Sequence, residues 1–157
     1  MPATLRSGGG SRNGASHRLL RTRTVENRHA RCVPPWHDRR VPPTVLIVDD
    51  HAHFRAAAAA LLEAEGFEVV GLAGDAAGAL EAVARLRPQV VVLDIQLPDR
   101  DGFAVAELLA AGAEPPRVVL TSSREASAYG RRLDTVPSRG FIAKRELSGA
   151  ALAALVA

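Results

Sequence analysis

Two carboxylates follow directly on four apolar residues in the stretch Val45-Leu46-Ile47-Val48-Asp49-Asp50. Three of the four are β-branched, the pattern of a strand buried on both faces. Two unit charges about 5 Å apart repel by roughly 3 kcal/mol at an effective dielectric near 20, so the pair calls for a counter-charge. Other apolar runs also end on chemistry: Asp94 closes "QVVVL", Thr121 closes "RVVLT" and Lys144 follows "GFIA". Gathered on one rim, three carboxylates, a hydroxyl and an ammonium make a hard, oxygen-rich pocket that suits Mg2+. Such a cation removes the repulsion and can bridge a phosphoryl group. Lys144 is the only lysine beside nineteen arginines. A compact charge on a flexible stem, rather than a planar fork, is what Arg replaces poorly. A surface lysine at a helix start is the plain alternative, and Asp49-Asp50 alone would serve equally well as a turn or helix cap.

The elements that must position these residues are regular from Thr44 onward. Strands are predicted at 44–49, 67–72, 89–93, 117–121 and 140–143, and helices at 52–65, 75–86, 103–111, weakly at 124–134, and at 147–156. Asp75 is placed to cap the second helix, Gly66 to end the first, and Pro88 follows the second. Alternating strands and helices, with continuous apolar strands, imply a parallel sheet covered on both faces. Right-handed crossovers favour an α/β, doubly wound, flavodoxin-like order 2-1-3-4-5, whose site lies beyond the carboxyl ends of the strands. Asp49, Asp50, Asp94, Thr121 and Lys144 all fall there.

"VLIVDDH", "VVVLDIQLPDRDGF", "VVLTSS" and "GFIAKREL" resemble the receiver domain of two-component response regulators, over residues 44–157. The resemblance implies that Asp94 is the phosphoacceptor, taking its phosphoryl group from a histidine kinase or histidine phosphotransfer protein. It implies Mg2+ held by Asp50, Asp94 and the backbone carbonyl of Gln96, with Asp49 acting through water. Thr121 would bond the phosphoryl oxygens and Lys144 would pair with them. Gln96 and Ser123 would influence hydrolysis of the acyl phosphate. Phe141 occupies the place of the switch aromatic, and the output face would be the fourth helix, fifth strand and fifth helix, meeting a downstream protein. Two departures stand out. Phe141 lacks the hydroxyl of the common tyrosine, so a switch here would work by packing alone, and Arg145 replaces a frequent proline. "REASAYGRRLD" is thin in apolar signal, so the fourth helix is expected to be short or mobile.

Charge divides the chain. Residues 1–43 hold nine arginines against Glu26 and Asp38, a net of +7, whereas residues 44–157 carry a net of −4. The first segment is expected to be a disordered basic extension, or an artefact of a start codon placed too far upstream. It would bind nucleic acid only if genuine and functional. Cys32, the single cysteine, allows no internal disulfide, and no apolar run nears the roughly 18 residues of a membrane span. A cytoplasmic protein, monomeric or weakly dimeric, is expected, signalling rather than turning over an external substrate.

Other candidates carry less. Asp99 and Asp101 read as solvated turn residues, Gly102 as a backbone device, and His51 and His53 as diverging, exposed capping residues. His29, Cys32 and His37 are too few for a metal site, and Gly71, Gly74 and Gly78 do not fit a dinucleotide fingerprint. The rival functions are a truncated DNA-binding regulator lacking its output domain and a small aspartyl phosphohydrolase. The second is disfavoured because Asp94-Ile95-Gln96 lacks a second Asp two residues on.

Overall fold

The structure, a computed structural model, describes residues 41–157; the basic segment falls almost wholly outside them. Five strands, β1 (Thr44–Val48), β2 (Glu68–Ala73), β3 (Val90–Asp94), β4 (Arg117–Ser122) and β5 (Gly140–Ala143), alternate with five helices. These are α1 (Ala52–Ala64), α2 (Ala76–Leu86), α3 (Gly102–Ala110), α4 (Arg132–Thr135) and α5 (Gly149–Val156). Every pairing is parallel and the order is β2-β1-β3-β4-β5. The predicted doubly wound topology is therefore the one found.

Alternation along each strand divides the core into two layers. Leu46, Val48, Val91, Leu93, Val118 and Leu120 face α2 and α3 through Ala76, Ala79, Phe103 and Val105. Val45, Ile47, Val90, Val92, Val119 and Ile142 face α1 and α5 through Ala58, Leu62, Leu152 and Ala153. The central strands need apolar residues at successive positions because both of their faces are covered. Alanines on the inner faces of the helices let them lie close to the β-branched sheet.

Helix ends follow the sequence signals where a side chain is available. Asp75 caps α2 by accepting from the Gly78 amide at 2.6 Å, and Ser148 caps α5 by accepting from Ala151 at 3.1 Å. Gly66, at φ 92°, takes the left-handed conformation after α1. Before Pro88, Arg87 adopts φ 46° to end α2.

Between β4 and β5 the fourth helix is short, as its thin apolar signal suggests, and it begins later than the predicted stretch. In place of a helix over 124–134 there is a 3-10 turn, Ala126–Ala128, and then the four-residue α4. Too few apolar side chains occur there to hold a longer amphipathic helix on the sheet. A second 3-10 turn, Lys144–Glu146, precedes α5, which starts two residues later than the apolar pattern suggests.

The β3–α3 loop folds back tightly on the end of its own strand. Gly102 donates its amide to Ile95 O at 2.9 Å, and a Cβ on Gly102 would lie 2.3 Å from Asp94 O and 2.7 Å from Ile95 Cα. Gly102 is absent from the positive-φ residues, so the need here is space rather than an unusual backbone conformation. Because the obstruction is backbone, it cannot swing aside. Gly102→Ala is expected to destabilise the domain by about 1–3 kcal/mol, as overpacking does elsewhere, with a denaturant midpoint as the measurement. An unchanged midpoint would show that the loop yields without cost.

Candidate functional site

The sheet delivers the predicted side chains to one end. Asp49 follows β1, Asp94 ends β3, Thr121 stands opposite Asp94 in the β3–β4 register, and Lys144 follows β5. Asp49 and Thr121 are wholly buried and Asp94 is 2% exposed. Lys144 reaches in from the far strand: its Nζ donates to Asp94 Oδ2 at 2.9 Å and lies 2.5 Å from Asp49 Oδ2. The contact with Asp94 has hydrogen-bond geometry. That with Asp49 is an ionic approach, and Asp49 Oδ2 accepts no hydrogen bond. The ring of Phe54, on α1, lies 4.8 Å from the same ammonium.

The electrostatics follow from that sharing. Burial pushes the Asp94 carboxyl above its ordinary pKa, opposed by the Lys144 bond and by the Gln96 amide, which donates to Asp94 Oδ1 at 3.1 Å. Burial would lower the Lys144 ammonium, but the adjacent Asp49 and Asp94 carboxylates outweigh it and hold the group above its ordinary value. Asp49 is fixed as well: its Oδ1 accepts from the His51 amide at 2.8 Å, and its carbonyl accepts from Arg55 Nη1 at 2.6 Å.

Asp50 differs from its neighbour, with a side chain 36% exposed. Oxygen atoms of Asp49, Asp50 and Asp94 and a nitrogen of His51 all lie within 4.8 Å of one another. This group passes a test of fit for a divalent cation. Three carboxylates against one ammonium leave two negative charges, and a buried Asp49 oxygen is without a hydrogen bond. The donors are hard oxygens, as Mg2+ requires. A groove of about 770 Å3 lies at the other end of the sheet among Leu80, Val83, Leu108, Pro116 and Arg139.

His51 corrects the sequence reading. It occupies the N-cap position of α1 but makes no side-chain cap; its Nδ1 sits 2.7 Å from Asp50 Oδ1 and 3.3 Å from Asp49 Oδ1. Asp99 and Asp101 are exposed yet tied down. Asp99 accepts from the Ala76 and Ala77 amides, at 2.8 and 3.0 Å, and the Ala76 bond holds its pKa low. Asp101 caps α3 through the Phe103 amide at 2.9 Å and pairs with Arg132 at 2.6 Å. The two aspartates thus pin both sides of the loop that carries Gln96.

One residue escaped the sequence reading altogether. Tyr129, before α4, packs between Phe103 and Phe141, at centroid distances of 5.8 and 6.1 Å, and its hydroxyl lies 2.6 Å from Ser122 Oγ. Phe141 indeed lacks a hydroxyl, but the aromatic group it belongs to has one. Helical periodicity gave no signal for Tyr129 because the segment around it is barely helical.

With this geometry in place, similarity to known proteins becomes decisive. The Response regulator receiver domain profile matches residues 45–156. The chain belongs to that family. It is 49% identical over 83 residues to protein-glutamate methylesterase/protein-glutamine glutaminase 5 of Myxococcus xanthus, covering 52% of this chain and 24% of that protein. Identity to the transcriptional regulatory protein PdtaR of Mycobacterium tuberculosis is 38% over 97 residues, 62% of this chain and 47% of that one. The chain thus spans less than half the length of both relatives. The solved receiver domain of a NarL regulator from M. tuberculosis superposes with a TM-score of 0.65 at 31% identity, over 73% of this chain and 96% of that one. The receiver is a component of two-component signalling. Among the described residues no helix is long and apolar enough to cross a membrane.

Two buried carboxylates sharing one ammonium should cost the folded state free energy. The sign follows from Asp94. Its folded pKa lies above its unfolded one, so the native state is penalised as pH rises from the ordinary Asp value through the folded value. Asp94→Asn, which leaves Lys144 paired with Asp49 alone, is expected to be more stable than wild type in metal-free buffer at neutral pH. The gain is on the order of 1 kcal/mol, or roughly 4 °C in melting temperature. The advantage should shrink as pH falls through the folded pKa of Asp94 and vanish below the unfolded one. A gap that stays constant across that range would show that Asp94 carries no such penalty.

Proposed function

We propose that this chain accepts a phosphoryl group on Asp94 from a histidine kinase or a histidine phosphotransfer protein, with Mg2+. The single observation that carries the reading is the placement of Asp94. It is a buried carboxylate at a strand end, bonded by Lys144, beside further acids and opposite a Thr121 hydroxyl that is buried and unpartnered. A nucleophile, a counter-charge and a free hydrogen-bonding group on one rim suit phosphoryl transfer, which needs mainly positioning and charge neutralisation.

Each residue then has a role. An Asp94 oxygen attacks the phosphorus of a phosphohistidine; the P–N bond breaks, its electron pair returns to the imidazole, which takes up a proton, and an acyl phosphate remains on Asp94. Asp50, Asp94 and the Gln96 carbonyl would hold Mg2+ directly, with Asp49 acting through water. When bound, the cation supplies charge neutralisation for the carboxylates and the incoming phosphoryl oxygens. Lys144 exchanges its bond with Asp94 for one with the phosphoryl group, and the Thr121 hydroxyl donates to a phosphoryl oxygen. Phe141 repacks as Thr121 shifts, which biases the face formed by α4, β5 and α5 toward a downstream protein. Water later hydrolyses the acyl phosphate, so the chain takes part in its own dephosphorylation without turning over a foreign substrate. Residues 44–157 form the receiver unit in this reading, working in the cytoplasm as a monomer or weak dimer.

Intact-mass measurement after treatment with acetyl phosphate and Mg2+ tests the proposal. Wild type is expected to gain one phosphoryl group that base removes and acid does not. Asp94→Asn should gain none, chelation of Mg2+ should abolish the gain, and Lys144→Ala should reduce it at least tenfold. Equal labelling of wild type and Asp94→Asn would eliminate Asp94 as the acceptor.

A further inference from the structure

Thr121 and Tyr129 are joined through one residue, and that link goes beyond the roles assigned above. Ser122 follows Thr121 at the end of β4 and is wholly buried. Its Oγ accepts the Arg124 amide at 3.1 Å and shares a hydrogen bond of 2.6 Å with the Tyr129 hydroxyl. Thr121, by contrast, is buried with its Oγ1 unpartnered. Adjacent residues therefore occupy opposite conditions, one tied to the segment before α4 and the other with its hydroxyl free. Consecutive Cα atoms stay about 3.8 Å apart, so a backbone shift of Thr121 toward a group on Asp94 pulls directly on Ser122.

Tyr129 cannot simply follow. Its ring is wedged between Phe103, on α3, and Phe141, on β5. Phe103 is overlaid by the Arg132 guanidinium at 4.1 Å, and Arg132 is in turn paired with Asp101. The phenol thus packs on α3 and β5, while its hydroxyl is tied to the end of β4.

We infer that Tyr129 is a positioning residue acting on Thr121 through Ser122: its phenol hydroxyl latches the end of β4 in the resting position, and the Ser122–Tyr129 bond opens when Thr121 engages a phosphoryl group on Asp94. The inference rests on the phosphoacceptor reading. It gives this receiver a polar latch contributed by the segment before α4, where the packing of Phe141 alone was expected to serve. Opening the latch releases Tyr129 from β4 and so passes the state of Asp94 to α4.

The test uses the full chain with Mg2+ and beryllofluoride, a non-covalent mimic of the phosphoryl group, so that an equilibrium is read instead of a rate. Removing one hydrogen bond present only in the resting state should tighten beryllofluoride binding about two- to tenfold. Tyr129→Phe, which keeps the ring contacts, and Ser122→Ala should each show this. The double variant should gain no more than the larger single effect, because both remove the same bond. Tyr129 is the only tyrosine in the chain, so 3-fluorotyrosine incorporation yields a single 19F resonance. That resonance should move when beryllofluoride binds wild type, and in free Ser122→Ala it should already stand near the bound position. A purely structural role would lower melting temperature without moving affinity or the resonance, and that result overturns the latch. Phosphorylation of wild type on Asp94 with unchanged affinities in both variants would sink the latch alone. A wild type that takes up neither phosphoryl group nor beryllofluoride would sink the latch and the phosphoacceptor reading together.

Discussion

The structure turns on one ammonium held between two buried carboxylates. Lys144 stands 50 residues beyond Asp94 and still further from Asp49, and only a parallel sheet brings the three strand ends to the same side. An antiparallel neighbour would have sent one of these ends to the opposite rim. The continuous apolar strands are what permit this arrangement, since a parallel sheet must be covered on both faces. The hydrophobic core and the charged site are thus consequences of the same topology. Burial gives the ion contacts their strength and at the same time makes an excess negative charge expensive.

That excess sets the character of the site. One ammonium cannot neutralise three carboxylates, and a hydroxyl at the same rim has no partner. A fold built only for stability would place a second cation or an apolar residue there. The loop between β3 and α3 shows the same bias toward position over comfort. Gly102 leaves room for the chain to double back on Asp94, while Asp99 and Asp101 spend their carboxylates on the amides at the starts of α2 and α3. Anchored at both sides, the loop holds the Gln96 amide on Asp94 Oδ1.

Legibility in the sequence tracked how local each cause is. The β-branched runs and the turn residues fixed the strands to within a residue or so, and the strand order followed from alternation and crossover handedness. Asp49, Asp50, Asp94, Thr121 and Lys144 were legible because strand ends in this topology have one place to go. His51 was misjudged because residue spacing on a helix says nothing about a side chain that turns back from the N-cap position toward the strand it left. Asp99 is the exposed turn residue expected, but its partners lie at the start of α2, 22 and 23 residues away, and turn composition cannot name them. Tyr129 was invisible because its importance lies in three contacts from three different elements.

The shortness of the fourth helix has a physical cause. Between β4 and β5 the chain buries little beyond Val136, with Tyr129 and Leu133 half-buried against the core. Beside the ring contacts of Tyr129, its ties are polar: Ser122 with Tyr129, Arg132 with Asp101, and Glu125 with Arg145. The Arg145 that replaces a frequent proline is therefore not idle, since it joins the segment after β4 to the turn that carries Lys144. Exposed ion pairs of this kind contribute about 0–1 kcal/mol each, far less than a buried helix face would. A segment held by a few weak, directional links has alternative arrangements within reach of a small perturbation, as locally unstable elements do. Two of those links, at Ser122 and at Arg145, begin one residue away from Thr121 and Lys144. A change of charge at Asp94 acts first on those two residues, so this sparsely buried segment is directly linked to the residues that contact the acids.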